Sequence, residues 1–242
     1  MYSARTHSQK EMTAMDVIAS LDEMRAAINV LEHPFYERWS AGELTAQELS
    51  CYAGEYRVAV RALAEASRLA AEKCAPAQLA TLRAHAQEEA GHIELWEQFA
   101  SAAGATPPPG VGCDGEFAQT RACARAWTAG EHVLEHLAVL YAIEASQAQV
   151  SKTKLEGLCS YYGYSADSPA VEYFHAHQTR DREHAAQAAG MIEQLSGASH
   201  EGRGPLGERM LARAEAALRG NWGLLDGVEG AAHSDASRGV AA

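Results

Sequence analysis

Lysine is scarce in this 242-residue chain: Lys10, Lys73, Lys152 and Lys154 are the only four. All told, 20 basic residues face 32 acidic ones, for a formal charge of -12. That balance disfavours a protein that neutralises phosphates or coats an anionic membrane, so nucleic acid is not an expected partner. No apolar run of about 18 residues is available to span a bilayer. Residues 1 to 10 (MYSARTHSQK) lack the apolar stretch of a signal peptide, which gives the expectation of a cytoplasmic protein. The five cysteines (Cys51, Cys74, Cys113, Cys123, Cys159) are odd in number, scattered and free of any C-x-x-C. Neither a disulfide framework nor a zinc knuckle is indicated. The Val/Ile/Thr alternation of strands is missing, and no repeat is evident, so sheets and solenoids are set aside.

What is present is alanine-rich sequence with 3-to-4 periodicity almost throughout, and the class it predicts is all-α. The pattern predicts helices near 11 to 31, 45 to 71, 76 to 103, 114 to 127, 130 to 162, 168 to 195 and 205 to 225, a bundle of about seven. Glu32-His33-Pro34 ends the first, Ala41-Gly42 precedes the second, and ATPPPGVG (105 to 112) and GASHEGRGPLG (197 to 207) are loops. The length suits one domain, expected over 11 to 226 between a disordered N-terminus at 1 to 10 and a disordered tail at 227 to 242.

Four helices carry acidic or imidazole side chains where apolar ones would be ordinary. In HAHQTRDREH (175 to 184), offsets of four and seven put His177, Asp181 and His184 on one stripe. In LAVLYAIEASQAQ (137 to 149), Glu144 lies among apolar residues on every side. A carboxylate buried alone must neutralise or find a cation, because its desolvation costs several kcal/mol. In LRAHAQEEAGHIELWEQF (82 to 99), the stripe 82, 85, 89, 92, 96, 99 reads Leu, His, Glu, His, Trp, Phe. Glu89-x-x-His92 has the spacing with which carboxylate bundles place two ligands one turn apart, and Glu88 competes with Glu89. In TAQELSCYAGEYRVAV (45 to 60), Glu55 shares a face with Tyr52 and Ala59.

Any one of these stripes is as well explained by a solvated face or by a buried Glu paired with arginine. Together they offer Glu55, Glu88 or Glu89, His92, Glu144, His177, Asp181 and His184 from separate helices. Mixed nitrogen and oxygen donors of this kind suit Fe or Mn better than a thiolate-preferring metal. A helical bundle is also the setting in which two metals about 4 Å apart share a carboxylate.

The chain resembles the heme-oxygenase-like di-metal oxidases, and within them the self-sacrificing p-aminobenzoate synthases of the chlamydial type. More distantly it is similar to quinone-cofactor (PQQ) synthases and TenA-like thiaminases. The resemblance covers about residues 30 to 195 and rests on EHPFYERWSAGELTAQELSCYAGEY (32 to 56), EEAGHIELWEQFASAAGATP (88 to 107), Glu144, KLEGL (154 to 158) and YFHAHQTRDREHA (173 to 185). It implies a heme-oxygenase-like helical bundle. As metal ligands it implies Glu88 or Glu89, His92, Glu144, His177, Asp181 and His184, with Glu55 matching a ligand of other members. It further implies that Tyr36 is consumed as the carbon skeleton of p-aminobenzoate, that Lys154 donates the amino nitrogen, and that Tyr52 and Tyr173 lie near the reacting tyrosine. The chain departs from that type at Ile143, where a tyrosine is usual, at Arg57, where an aromatic is usual, and before His92, where it is three residues shorter. Lys154 also stands ten residues past Glu144, roughly 15 Å along a straight helix.

The leading expectation is therefore an O2-activating non-heme oxidoreductase with two metal ions, Fe/Fe or Mn/Fe, that uses Tyr36 and Lys154 of its own chain and an external reductant. One alternative keeps the metals and gives them a small-molecule substrate, for N-oxygenation or C–C cleavage of an amino acid or decarboxylation of a fatty acid. Another is a non-catalytic interaction protein, by analogy with the death-domain association of the chlamydial members. Thiaminase chemistry would need a nucleophilic cysteine, and Cys159 beside Tyr161 and Tyr162 is a poor fit. An exposed apolar helix face could make a homodimer.

Overall fold

The computed structural model describes residues 14–105, 117–199 and 204–239, which are helical with short connections and hold no strand. Eight α-helices follow in order: α1 (Ala14–Ala27), α2 (Pro34–Ala41), α3 (Ala46–Lys73), α4 (Pro76–Ala102), α5 (Ala118–Thr128), α6 (Val133–Tyr161), α7 (Glu172–Ser199) and α8 (Pro205–Gly239). Several expectations lie outside the described residues: the disordered N-terminus at 1 to 10, the helix starts at 11 and 114, most of the 105 to 112 loop and part of the 197 to 207 loop.

The helix beyond the expected seven is α2, and it begins at the residue read as a stop. Pro34 ends one helical segment and opens the next, because at the first helical position its missing N–H costs nothing. His33 caps the new helix, with Phe35 N donating to its Nδ1 at 3.0 Å. Gly42, at φ 74°, closes it in the left-handed region. In between, Phe35, Tyr36 and Trp39 point inward. The Trp39 indole donates to the Lys154 carbonyl at 3.1 Å, and a Cβ built on Gly157 would stand 2.5 Å from the indole nitrogen. Glycine at 157 is what lets α2 lie flush on α6.

The expected disordered tail from residue 227 is corrected by α8, which runs on through that position. Leu224, Leu225 and Val228 repeat at helical spacing and are buried. Gly227 brings α8 against Phe117 and Gln119, whose atoms lie 3.3 to 3.5 Å from where its Cβ would stand. Glu229, also buried, accepts two hydrogen bonds from Arg38 Nη1, at 3.0 and 3.1 Å. Gly227 therefore marks a close approach to the α8 surface and not the end of the helix.

At the centre runs α6, buried on every side from Val133 to Glu144, as a helix with neighbours all round must be. It packs on α7, α8, α3 and α2. Its stripe Glu144, Gln147, Ser151, Lys154, Leu158 is wholly buried. Lys154 ranks among the largest side chains with almost no exposure.

Candidate metal centre

Three helices aim side chains at one point between them. From α4 come His85, Glu89 and His92, from α6 Glu144, and from α7 His177 and His184, all buried. Their donor atoms fall into two groups, His85, Glu89, Glu144 and His184 in one and Glu89, His92 and His177 in the other, each within 4.8 Å. Glu89 belongs to both. The shortest approaches are His85 Nε2 to Glu144 Oε1 at 2.9 Å, His92 Nδ1 to Glu89 Oε1 at 3.2 Å and His184 Nδ1 to Glu89 Oε1 at 3.5 Å.

These contacts converge without the angles of hydrogen bonds. Among the described residues, 11 buried side-chain nitrogen or oxygen atoms lack a hydrogen-bond partner, and seven of them are His85 Nε2, Glu89 Oε1, His92 Nδ1, both Glu144 oxygens, His177 Nε2 and His184 Nδ1. Buried polar atoms are normally paired, and so many orphans in one place fit donors waiting for a cation. The set contains nitrogen and oxygen and no sulfur, which suits Fe or Mn.

Two further carboxylates hold histidines from behind. Asp181 accepts from His177 Nδ1 at 2.8 and 2.9 Å, leaving His177 Nε2 turned inward. Glu88, one third exposed, accepts from His184 Nε2 at 3.3 Å and pairs with Arg180 at 3.0 Å. A carboxylate on the outer nitrogen fixes both the tautomer and the ring orientation of a ligand histidine.

The protonation balance follows from crowding. Burial pushes the Glu144 carboxyl up to about 7, with His85 opposing it. Burial also raises Asp181, against the pull of His177. For Glu89 the raising effect of burial is outweighed by the adjacent His92 and by His177, and its carboxyl is held at about 2. Burial would lower His85, but Glu144 and Glu89 carry it up to about 9. His184 is lowered by burial and by His85. With His85 carried up to about 9, its imidazole holds a proton near neutral pH that a metal bound there would displace.

The sequence-predicted ligands are thus distributed in three ways. Glu89, His92, Glu144, His177 and His184 are brought together, whereas Asp181 and Glu88 sit behind histidines. Glu55 is not brought to the cluster: its carboxylate accepts from Thr120 Oγ1 and from Phe117 N, the latter at 3.4 Å. It supplies from α3 the cap that α5 lacks, since Phe117 at its N-cap makes no side-chain cap bond. His85 lies on the same 82 to 99 stripe and joins the donor group, although the Glu-x-x-His spacing points only to the turn after it.

Beside the cluster lies a cage of aromatic rings. Tyr173 stacks at 4.1 Å from the His177 ring and touches Trp96 at 4.8 Å. Beyond Trp96 are Tyr52 and Tyr56, at 5.9 and 5.0 Å between ring centres. The Tyr36 and Tyr52 hydroxyls are 3.1 Å apart. Lys154 Nζ enters this cage, 5.5 Å from the Tyr36 ring centre, 5.4 Å from Tyr52, 4.5 Å from Tyr56 and 5.9 Å from Trp96 and Phe174. Burial, only partly offset by Asp181, brings the Lys154 ammonium down to about 7. The same burial holds Tyr36, Tyr52 and Tyr173 well above the ordinary phenol range.

Residues 52–218 match the family model described as iron-containing redox enzyme. The chain belongs to that family. It is 32% identical over 190 residues to a 4-aminobenzoate synthase of Chlamydia muridarum, covering 76% of this chain and 80% of that protein. It is 29% identical over 226 residues to one of Nitrosomonas europaea, covering 86% and 89%. Among solved structures, a domain of unknown function with a heme oxygenase-like fold from Shewanella denitrificans superposes with a TM-score of 0.69 at 17% identity, covering 90% and 93% of the two chains. A TenA homologue from P. horikoshii gives 0.68 at 13% identity, covering 88% and 97%. The fold is heme-oxygenase-like, and the family makes the chain an oxidoreductase. No described helix is long and apolar enough to cross a membrane.

A common carboxylate makes the first expected result sharp. Glu89→Gln should take metal content, by elemental analysis after anaerobic loading, from about two ions per chain to almost none. His85→Ala should lose one ion and keep the other. Equal retention of both ions in both variants would contradict this reading of the cluster.

Proposed function

We propose that the protein is a p-aminobenzoate synthase that uses its own Tyr36 as carbon source and its own Lys154 as amino donor. The observation that carries this reading is the position of Lys154 Nζ, buried 5.5 Å from the Tyr36 ring in a cage that adjoins the candidate metal centre through Tyr173. Similarity to proteins named 4-aminobenzoate synthase supports it.

Glu89 would hold both metal ions, with His85, Glu144 and His184 around one and His92 and His177 around the other. Bound Fe/Fe or Mn/Fe would supply O2 activation. Everything else is done by the chain. Asp181 and Glu88 keep His177 and His184 turned inward. Tyr173 and Trp96, both buried, exclude water between the cluster and the cage. The hydrogen bond between the Tyr36 and Tyr52 hydroxyls, 3.1 Å long, fixes the direction of the Tyr36 phenol. A lysine brought down to about 7 presents a free amine to a substantial degree near neutral pH.

An internal substrate accounts for a feature that an external one leaves unexplained: a lysine deeply buried among rings has no stabilising role there. Loaded with Fe(II) and Mn(II), reduced and given O2 with no added carbon compound, the protein should release at most one p-aminobenzoate per chain. Repeated turnover on an added amino acid or fatty acid, with Tyr36 intact, would overturn the proposal.

A further inference from the structure

Lysine reaches its target on a flexible stem with many rotamers. The surroundings of Lys154 Nζ are ring faces, and these attract an amine without fixing its direction. The nearest ring is that of Tyr56, at 4.5 Å. Its hydroxyl accepts from Gln147 Nε2 at 2.9 Å, with both side chains buried. Gln147 lies on α6 seven residues before Lys154, two turns along the same stripe. The polar groups of the other cage rings are tied elsewhere: Tyr36 and Tyr52 to each other, and Trp96 Nε1 to the Ala53 carbonyl at 2.9 Å.

We propose that Tyr56 and Gln147 position the Lys154 amine over Tyr36, with Tyr56 as the wall on which the amine rests and Gln147 as the tie that holds the wall to the helix carrying the lysine. Neither residue belongs to the two metal-donor groups, so both are positioning residues for the amino donor. The inference rests on the reading of Lys154 as that donor. It adds that the amine's aim, and not only its presence, is built in by a hydrogen bond from α6 to α3.

Two conservative variants test it, Tyr56→Phe and Gln147→Met, each keeping the shape and losing the tie. With only four lysines in the chain, 13Cε-lysine NMR of the full protein loaded with redox-silent Zn(II) should resolve Lys154. Ring currents set it apart from the exposed Lys73 and Lys152. In both variants its signal should move toward theirs or split. In Fe/Mn-loaded protein, p-aminobenzoate release should slow on the order of 10²-fold, as for a misplaced reacting group, while Tyr36 is consumed at the wild-type rate by intact-chain mass. An unmoved lysine signal in both variants overturns the proposal, and so does a parallel loss of Tyr36 consumption and product. A wild-type protein that makes no p-aminobenzoate would overturn the reading of Lys154 as donor, and the NMR result would still decide whether the tie positions the amine.

Discussion

Tyr36→Phe is expected to release no p-aminobenzoate while binding its full complement of metal. One oxygen atom is removed from a ring packed against Phe35, Trp39 and the Tyr52 hydroxyl. The ring itself stays, so packing is preserved. The cost to stability is the unpaired Tyr52 hydroxyl, about 1–3 kcal/mol for a buried polar group. Because Tyr36 is absent from both donor groups, elemental analysis should give the wild-type metal content. Product should nonetheless fall below detection, since a phenylalanine ring lacks both the phenolic proton and the oxygen-activated ring carbon of the tyrosine. Unchanged release would show that Tyr36 is only a wall of the cage.

Lys154→Met should remove the product and stabilise the fold. Methionine keeps an unbranched chain of similar length in an apolar site, whereas the lysine is held at about 7 by burial. Relative to an ordinary lysine, that displacement corresponds to roughly 5 kcal/mol, at about 1.4 kcal/mol per unit, reduced by the attraction of the ring faces for the cation. The sign runs with pH in a definite way. Below about 7 the lysine is charged in both the folded and unfolded states, and the full burial cost is present. Between about 7 and the unfolded value of about 10.4, only the unfolded chain holds the proton, so wild-type stability rises with pH relative to the variant. The stabilising effect of the substitution, measured by denaturant unfolding, should therefore be largest at neutral pH and vanish above the ordinary lysine range. A variant less stable than wild type at pH 7 would contradict the burial argument. By the same titration, wild-type amine transfer should quicken as pH rises through about 7, if metal loading is complete at each pH.

Much of this site was legible because helical spacing is a local property. The α4 stripe 82, 85, 89, 92, 96, 99 faces inward as the periodicity indicated, and the same rule separates Glu89 from Glu88 once the helix axis is known. Asp181 was legible as an inward residue but not as the partner of His177, since a rotamer chooses between a metal and a neighbouring imidazole. Glu55 was equally legible as buried, yet its carboxylate turns to Thr120 and Phe117 on α5. Nothing local to α3 announces where α5 begins. Lys154 shows the opposite case. Measured along α6 it is far from Glu144, but its ring partners come from α2, α3, α4 and α7, and the distance along one helix was the wrong measure. Pro34 carries two meanings in sequence, stop and first helical position, and the His33 cap decides between them. The continuation of α8 through Gly227 was hidden for a similar reason, because a glycine that ends a helix and one that admits a neighbour look alike.

The measurement that tests the central claim most directly is isotopic. The protein would be made with ring-13C tyrosine, loaded anaerobically with Fe(II) and Mn(II), reduced, and exposed to O2 in the presence of excess unlabelled tyrosine. The account predicts p-aminobenzoate that carries the full ring label, at no more than one molecule per chain, with a matching loss of mass at residue 36. Unlabelled p-aminobenzoate, or labelled product with Tyr36 intact, would contradict it.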